Sequence, residues 1–307
     1  MSDVENNEIP LSQAWRENSL AILALGLCFL VSHMLAMYLV PSYEEAEVQA
    51  FEDPDDPVNS IFYIAVILVF TAFVLWIARK GLEWVLQAIF MSAIGITFIY
   101  VFYPFFHSVG ITGVAGYIGA TALAIELTFL LLTYPEWYVV DTAGVILAAG
   151  VAAIFGISFG LFPALLLLVG LAIYDAWAVY RTGHMVDLAD SVMNLKLPIL
   201  LVMPKSAGYS FLDQGSLADQ IEKGEKREAL FMGLGDLVIP GALVVSSKAS
   251  LGWMVGISSM IGGLIGFCIL MVFVLSGRPQ AGLPLLNGGA ILGYVVGAFV
   301  FVGNLGL

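Results

Sequence analysis

Ala229-Leu230-Phe231-Met232-Gly233-Leu234-Gly235-Asp236-Leu237-Val238-Ile239-Pro240-Gly241 opens an apolar run that continues to Ser247 and carries one carboxylic acid. Lipid disfavours such a group, so an acid at membrane depth is a functional-site hypothesis by default. Arg227, the nearest basic residue upstream, precedes Asp236 by nine positions. That is about half a turn round a helix, which leaves the acid no ion-pair partner on its own face. The partner has to come from another segment. Asp175, in Ala172-Ile173-Tyr174-Asp175-Ala176-Trp177, is the matching case: it lies near one end of a long apolar run and is followed by the basic stop Arg181.

Of the 307 residues, 60% are apolar and only 11% charged, the composition of a multispanning membrane protein rather than of two soluble domains. A net charge of −13 argues against nucleic acid as a partner, and there is no basic patch for phosphate. Cys28 and Cys268 both fall in apolar runs, so they form neither a disulfide framework nor a zinc site. His33, His107 and His184 share no metal-like spacing with one another or with the acids, and no His-Glu-x-x-His occurs. Neither a metal nor a cofactor is expected.

Residues 1–18 read as a polar cytoplasmic tail. Apolar runs follow at 19–40, 60–78, 82–106, 113–134, 137–155, 161–180, 229–247, 252–275 and 284–306. Each is close to the ~20 residues that cross a bilayer. The expectation is an all-α polytopic membrane protein with nine transmembrane helices. The first run is too long, and lacks the small-residue cleavage site, to be a signal peptide; it reads as an anchor. Residues 19–155 give an N-terminal bundle of five helices. Residues 156–307 give the catalytic part, helices six to nine with a 184–228 cytoplasmic loop. With the N-terminus cytoplasmic, ten of the eleven lysines and arginines lie inside and only Lys248 outside, which places the C-terminus outside. Gly289, Gly293 and Gly297 on the last run, and Gly262 and Gly266 on the eighth, form small-xxx-small ladders suited to close helix packing.

In this topology Asp175 and Asp236 sit at matching depth, roughly 7 to 11 Å below the cytoplasmic end of antiparallel neighbours. If the two carboxyls meet, like charges at ~3 Å cannot both stay ionised. One carboxylate then acts as general base on a water while its protonated partner polarises a peptide carbonyl. That is aspartyl peptide hydrolysis. Gly233 and Gly235 strip side chains from around Asp236, and Pro240 cannot donate to its carbonyl, so the helix is loosened at the acid. Irregular backbone at depth lines a cavity. Pro284-Leu285-Leu286 begins the last run from the same side.

Tyr174-Asp175, Gly233-Leu234-Gly235-Asp236 and Pro284-Leu285-Leu286, on runs six, seven and nine with a long loop between six and seven, resemble the presenilin and signal peptide peptidase family of intramembrane aspartyl proteases (GxGD type). The resemblance covers the whole chain in topology and rests on motifs in its second half. It implies that Asp175 and Asp236 are the catalytic pair. It also implies that Tyr174, Gly233, Leu234, Gly235, Leu283, Pro284, Leu285 and Leu286 support the active site or bind substrate. The residue in the middle of the family's Pro-Ala-Leu element is Leu285 here, a departure expected to narrow the space beside the dyad. Gly233 to Gly241 reads locally like signal peptide peptidase, whereas the charge-derived orientation is presenilin's and implies single-span substrates with their N-terminus outside. The short length implies a microbial homologue in the cell membrane, surrounded by lipid and needing no accessory subunit; a homo-oligomer is left open.

Glu126, Glu136 and Asp141 are further acids near apolar runs, for which an interhelical hydrogen bond (Glu126) and interfacial solvation (Glu136, Asp141) are the expected accounts. The main alternative function is a proton- or cation-coupled transporter using the same two acids. No second copy of either acid motif occurs in runs one to five, as inverted repeats would require. A prepilin-type peptidase would carry lysine two places after the acid; Val238 stands there. No serine with a nearby histidine recommends a serine mechanism.

Overall fold

The computed structural model describes residues 11–182, 199–206, 208–211, 228–276 and 280–307. Most of the expected 184–228 loop, His184 and Arg278-Pro279 therefore lie outside the described residues. Among the described residues, nine α-helices appear in this order: α1 (Leu11–Glu45), α2 (Val58–Arg79), α3 (Glu83–Ser108), α4 (Gly113–Thr133), α5 (Trp137–Ser158), α6 (Leu161–Trp177), α7 (Gly235–Leu251), α8 (Trp253–Leu275) and α9 (Leu283–Phe301). A π-helical turn, Ala178–Thr182, extends α6. Between α6 and α7 lie two antiparallel strands, β1 (Leu200–Pro204) and β2 (Ala229–Gly233), with Val202 opposite Phe231. Eight of the helices are long and apolar enough to cross a membrane; α7, with 17 residues, is shorter.

Two boundaries differ from the sequence expectation, and each has a physical cause. Helix α1 begins at Leu11, inside the polar segment, where Gln13 donates to Glu17 one turn on (3.0 Å) and Trp15 packs against the core. The apolar run from Ala229 is strand first and helix second. Its opening residues pair with Leu200–Pro204, and the ladder ends at Gly233, before α7 starts at Gly235. Pro104 and Pro41, in contrast, sit inside continuous helices.

Helices α1, α5, α7 and α8 share one apolar core around Phe29, Met37, Ala149, Leu237, Val245 and Phe267. Missing side chains set the closest approaches. A Cβ on Gly156 of α5 would overlap Val245 of α7, so that pair of helices depends on the glycine. The α8 and α9 ladders face each other: Gly262 lies on the backbone of Gly289 and Gly293, and Gly266 on that of Leu285. This backbone contact is the packing that the glycine spacing implies. Toward the opposite end, the acidic 46–57 segment folds onto the α5–α6 turn, where the Ala50 amide donates to Ser158 Oγ (2.7 Å) and the Gly160 amide to the Pro54 carbonyl (2.7 Å). The result holds α6, α7 and α9 in contact with one another.

Candidate active site

Asp175 leaves the last turns of α6, and Asp236 stands in the first turn of α7. A helix start has amides without intrahelical partners and a positive dipole end, so a carboxylate is favoured there. The amide of Gly233, the last residue of β2, lies close to the Asp236 carboxyl. Asp175 is held by a different helix start, that of α9. The Leu283 amide donates to its Oδ2 at 3.0 Å, and the Gly282 amide lies close by. Pro284, next in line, has no amide to leave unpaired, which suits the first turn of a helix. Asp236 approaches the same point from the other side. A Cβ on Gly282 would lie 3.2 and 3.3 Å from its two carboxyl oxygens. Both carboxyls therefore lean on the Gly282-Leu283 unit and are near enough to interact electrostatically.

The remaining residues named from sequence divide. Gly235 has open space where a side chain would stand, and with Leu234 it lines a cavity of about 270 Å³ with Tyr63, Leu147, Val151 and Phe155. Gly233 touches the Asp236 carboxyl, but a methyl there would sit 3.6 Å from Oδ2, at ordinary contact distance. Leu286 is fully buried, and Leu285 packs against the core that contains Phe267 and Leu270, with its carbonyl seated on Gly266. Tyr174 lies near the Trp177 ring, with centroids 6.4 Å apart.

A family model described as signal-peptide peptidase, presenilin aspartyl protease matches residues 26–303. Two crystal forms of a presenilin family intramembrane aspartate protease are similar over nearly the whole chain. One is 36% identical, with a TM-score of 0.68 over 92% of this chain and 100% of the other; the second is 37% identical, with 0.66 over 91% and 97%. No curated protein matches. The chain belongs to the signal-peptide peptidase and presenilin family and is an intramembrane aspartyl protease.

Several contacts in this presenilin-family protease carry no sequence signal. From sequence Gly282 belongs to the Arg278–Leu283 stretch, a docking strand or a short turn, yet a Cβ on it would meet the Asp236 carboxyl. Asn287 donates to the Leu168 carbonyl (2.9 Å), fastening α9 to α6 two turns before Asp175, and Tyr180 donates to Gln280 (3.0 Å) just ahead of Gly282. Interfacial solvation does not describe Glu136 and Asp141. Both are at most 9% exposed. Asp141 accepts the Val202 amide of β1 at 2.6 Å, and Glu136 accepts Ser210 Oγ (2.8 Å) and the Phe211 amide (3.1 Å). These acids anchor the strand segment to α5 because its backbone donors have no water to turn to. Glu126 is exposed on α4, and among the described residues it makes none of the expected interhelical hydrogen bonds. A larger cavity of about 770 Å³, between α3 and α4, is lined by no acid and lies away from the dyad.

The Asp141 anchor makes a prediction. Asp141→Leu leaves a buried amide unpaired, at a cost of about 1–3 kcal/mol. Amides of residues 200–204 and 229–233 should then exchange roughly 10- to 100-fold faster by hydrogen-exchange mass spectrometry. Unchanged exchange would mean that the anchor does not hold the strands.

Proposed function

We propose that Asp175 and Asp236 are the catalytic pair and hydrolyse peptide bonds inside transmembrane helices of other membrane proteins. The observation that carries this reading is the convergence of both carboxyls on the Gly282-Leu283 unit. In that arrangement one carboxylate takes a proton from the attacking water. The other, protonated, donates to the scissile carbonyl oxygen to give a gem-diol; as the C–N bond breaks, the proton taken from water passes to the leaving amine and the gem-diol returns a proton to the second carboxylate. The Leu283 amide holds Asp175 in orientation without supplying a proton.

A substrate helix shields its carbonyls with its own hydrogen bonds, so a few residues must become extended before attack. The sequence of Arg278 to Leu283 suggests a docking strand just before Pro284. Its described residues, 280–282, form no strand, and the Leu283 amide is already engaged by Asp175. The outer edge of β2 is better placed. Among the described residues it pairs with β1 on one side only, and its last residue lies three positions before Asp236. Pairing the opened substrate along β2 satisfies groups that would each cost several kcal/mol unpaired in lipid. The cavity at Gly235 offers room for an apolar substrate side chain beside the dyad.

We further propose nine crossings, with α7 and β2 together making the seventh. At 1.5 Å per residue α7 is roughly 25 Å long, short of a ~30 Å hydrocarbon core, and the paired strand completes the passage. The charge distribution supports a cytoplasmic N-terminus in the cell membrane. One chain contributes both carboxyls and their cover, which supports activity without accessory subunits.

The test is reconstitution of the purified protein in liposomes with a labelled single-span substrate. Products cut within the span support the reading, and their absence under all lipid compositions contradicts it. Orientation is tested separately by single-cysteine labelling in intact cells. Residues 44–56 should label from outside and residues 184–228 only after permeabilisation.

A further inference from the structure

His33 stands on α1, the first helix of the chain, and is completely buried. Its Nε2 lies 2.9 Å from the carbonyl oxygen of Leu237, the residue after Asp236. A carbonyl only accepts, so the ring is the donor and its proton sits on Nε2. The ring is held in place: Phe29 meets it at 4.0 Å with planes at 67°, and Phe29 is itself buried against Phe267. On the α7 side, Gly241 makes room for the ring. A Cβ at 241 would stand 2.8 Å from His33 Cδ2 and 2.9 Å from Nε2.

The turn that carries Asp236 needs such an outside contact. Leu234 is flanked by Gly233 and Gly235, and the chain entering the turn is tied on its strand side, where the Leu234 amide donates to the Ile199 carbonyl (3.0 Å). Pro240, one turn later, withholds the amide that would bind the Asp236 carbonyl. Within the turn, the Leu237 and Val238 amides both return to the Leu234 carbonyl (3.1 and 3.0 Å). That fixes the turn internally but leaves its rotation about the helix axis to neighbouring elements. The His33 bond is a directional contact at that place, and it comes from the opposite end of the sequence.

We propose that His33 is a positioning residue for the protease reaction: through the Leu237 carbonyl it sets the rotation of the first turn of α7, and with it the placement of the Asp236 carboxyl against Asp175. The inference rests on Asp236 being one of the catalytic pair. His33 acts through the Leu237 carbonyl and takes no proton in the reaction. Gly241 belongs to the same device, since a side chain there would push the ring off the carbonyl.

The test separates positioning from mere packing. His33→Phe keeps an aromatic ring and removes the donor; His33→Gln carries an amide N–H to nearly the Nε2 position. Cleavage of a labelled single-span peptide is measured in detergent, with competent sites counted by titration with a hydroxyl-bearing peptide analogue of the tetrahedral intermediate. His33→Phe should lower kcat per titrated site by roughly 10- to 100-fold, the range a misplacement of about an ångström produces, while KM stays within about twofold. His33→Gln should return kcat to within about threefold of wild type. A packing role alone would reduce the number of titratable sites and leave kcat per site unchanged. The proposal is overturned if His33→Phe keeps wild-type kcat per site, or if folded His33→Gln is as slow as His33→Phe. Should His33→Phe fail to fold, His33→Asn, whose amide reaches only the Nδ1 position, takes its place and must be slow where Gln is fast. Asp236→Asn is assayed beside them: full activity in that variant removes the catalytic assignment, whatever the His33 variants do.

Discussion

Asp236→Asn and Asp175→Asn should each reduce cleavage of a single-span substrate by roughly 10³-fold or more, the effect of removing a group that transfers protons in the transition state. Asparagine is nearly isosteric and keeps an acceptor for the Leu283 amide, which is 3.0 Å from Asp175 Oδ2. The variants should therefore stay folded, and the loss should fall in kcat. Because the two acids act as one unit, the double variant should be about as slow as either single one; losses that multiply would point to independent roles. The check is single-turnover cleavage with enzyme in excess. Activity retained in one variant removes that aspartate from the chemistry.

Gly282 gives the second large effect, and it is graded. With φ −76° and ψ −48° the backbone accepts any L residue, so only space is at issue. Gly282→Ala places a methyl 3.2 and 3.3 Å from the Asp236 oxygens, and the carboxyl must give by a few tenths of an ångström. Gly282→Val adds two more carbons beside the space that the carboxyls share. The expected losses in kcat are about 10-fold for alanine and about 100-fold or more for valine. Gly233→Ala is the control. Its methyl meets Asp236 Oδ2 at 3.6 Å, and the Gly233 amide beside the carboxyl is retained, so activity should stay within about threefold of wild type. Equal losses at 233 and 282 would contradict this geometry.

That contrast shows what sequence could and could not carry. Asp175 and Asp236 stood out as candidates because an acid in an apolar run is costly and rare, but counting helical residues from 229 does not describe Asp236, which follows a strand and stands in the first turn of α7. The α8–α9 packing was legible from glycine spacing. The strand in Ala229–Gly233 was not, because a short apolar run next to a helix has no period of its own to separate strand from helix. The strand is fixed by Leu200–Pro204, which pairs with it across the loop. Asp141 and Glu136 were misread for a similar reason: their partners are backbone amides 61 and 75 positions away, and a backbone amide leaves no trace in the residue pattern. From sequence Gly282 belongs to a candidate docking strand or short turn before Pro284, and its place at the dyad depends on how the ends of α6, α7 and α9 come together. His33 looked like a lone histidine without metal partners. Its role depends on a carbonyl.

The most direct measurement on the central claim uses the wild-type protein in liposomes, a labelled single-span substrate and water enriched in oxygen-18, with products read by mass spectrometry. General-base attack of water by the Asp175–Asp236 pair predicts a cut inside the apolar span. The new C-terminal carboxyl should carry one oxygen-18 atom after a single turnover, and both products should be absent in Asp236→Asn. A cut confined to residues outside the span, or products that persist unchanged in Asp236→Asn, would contradict it.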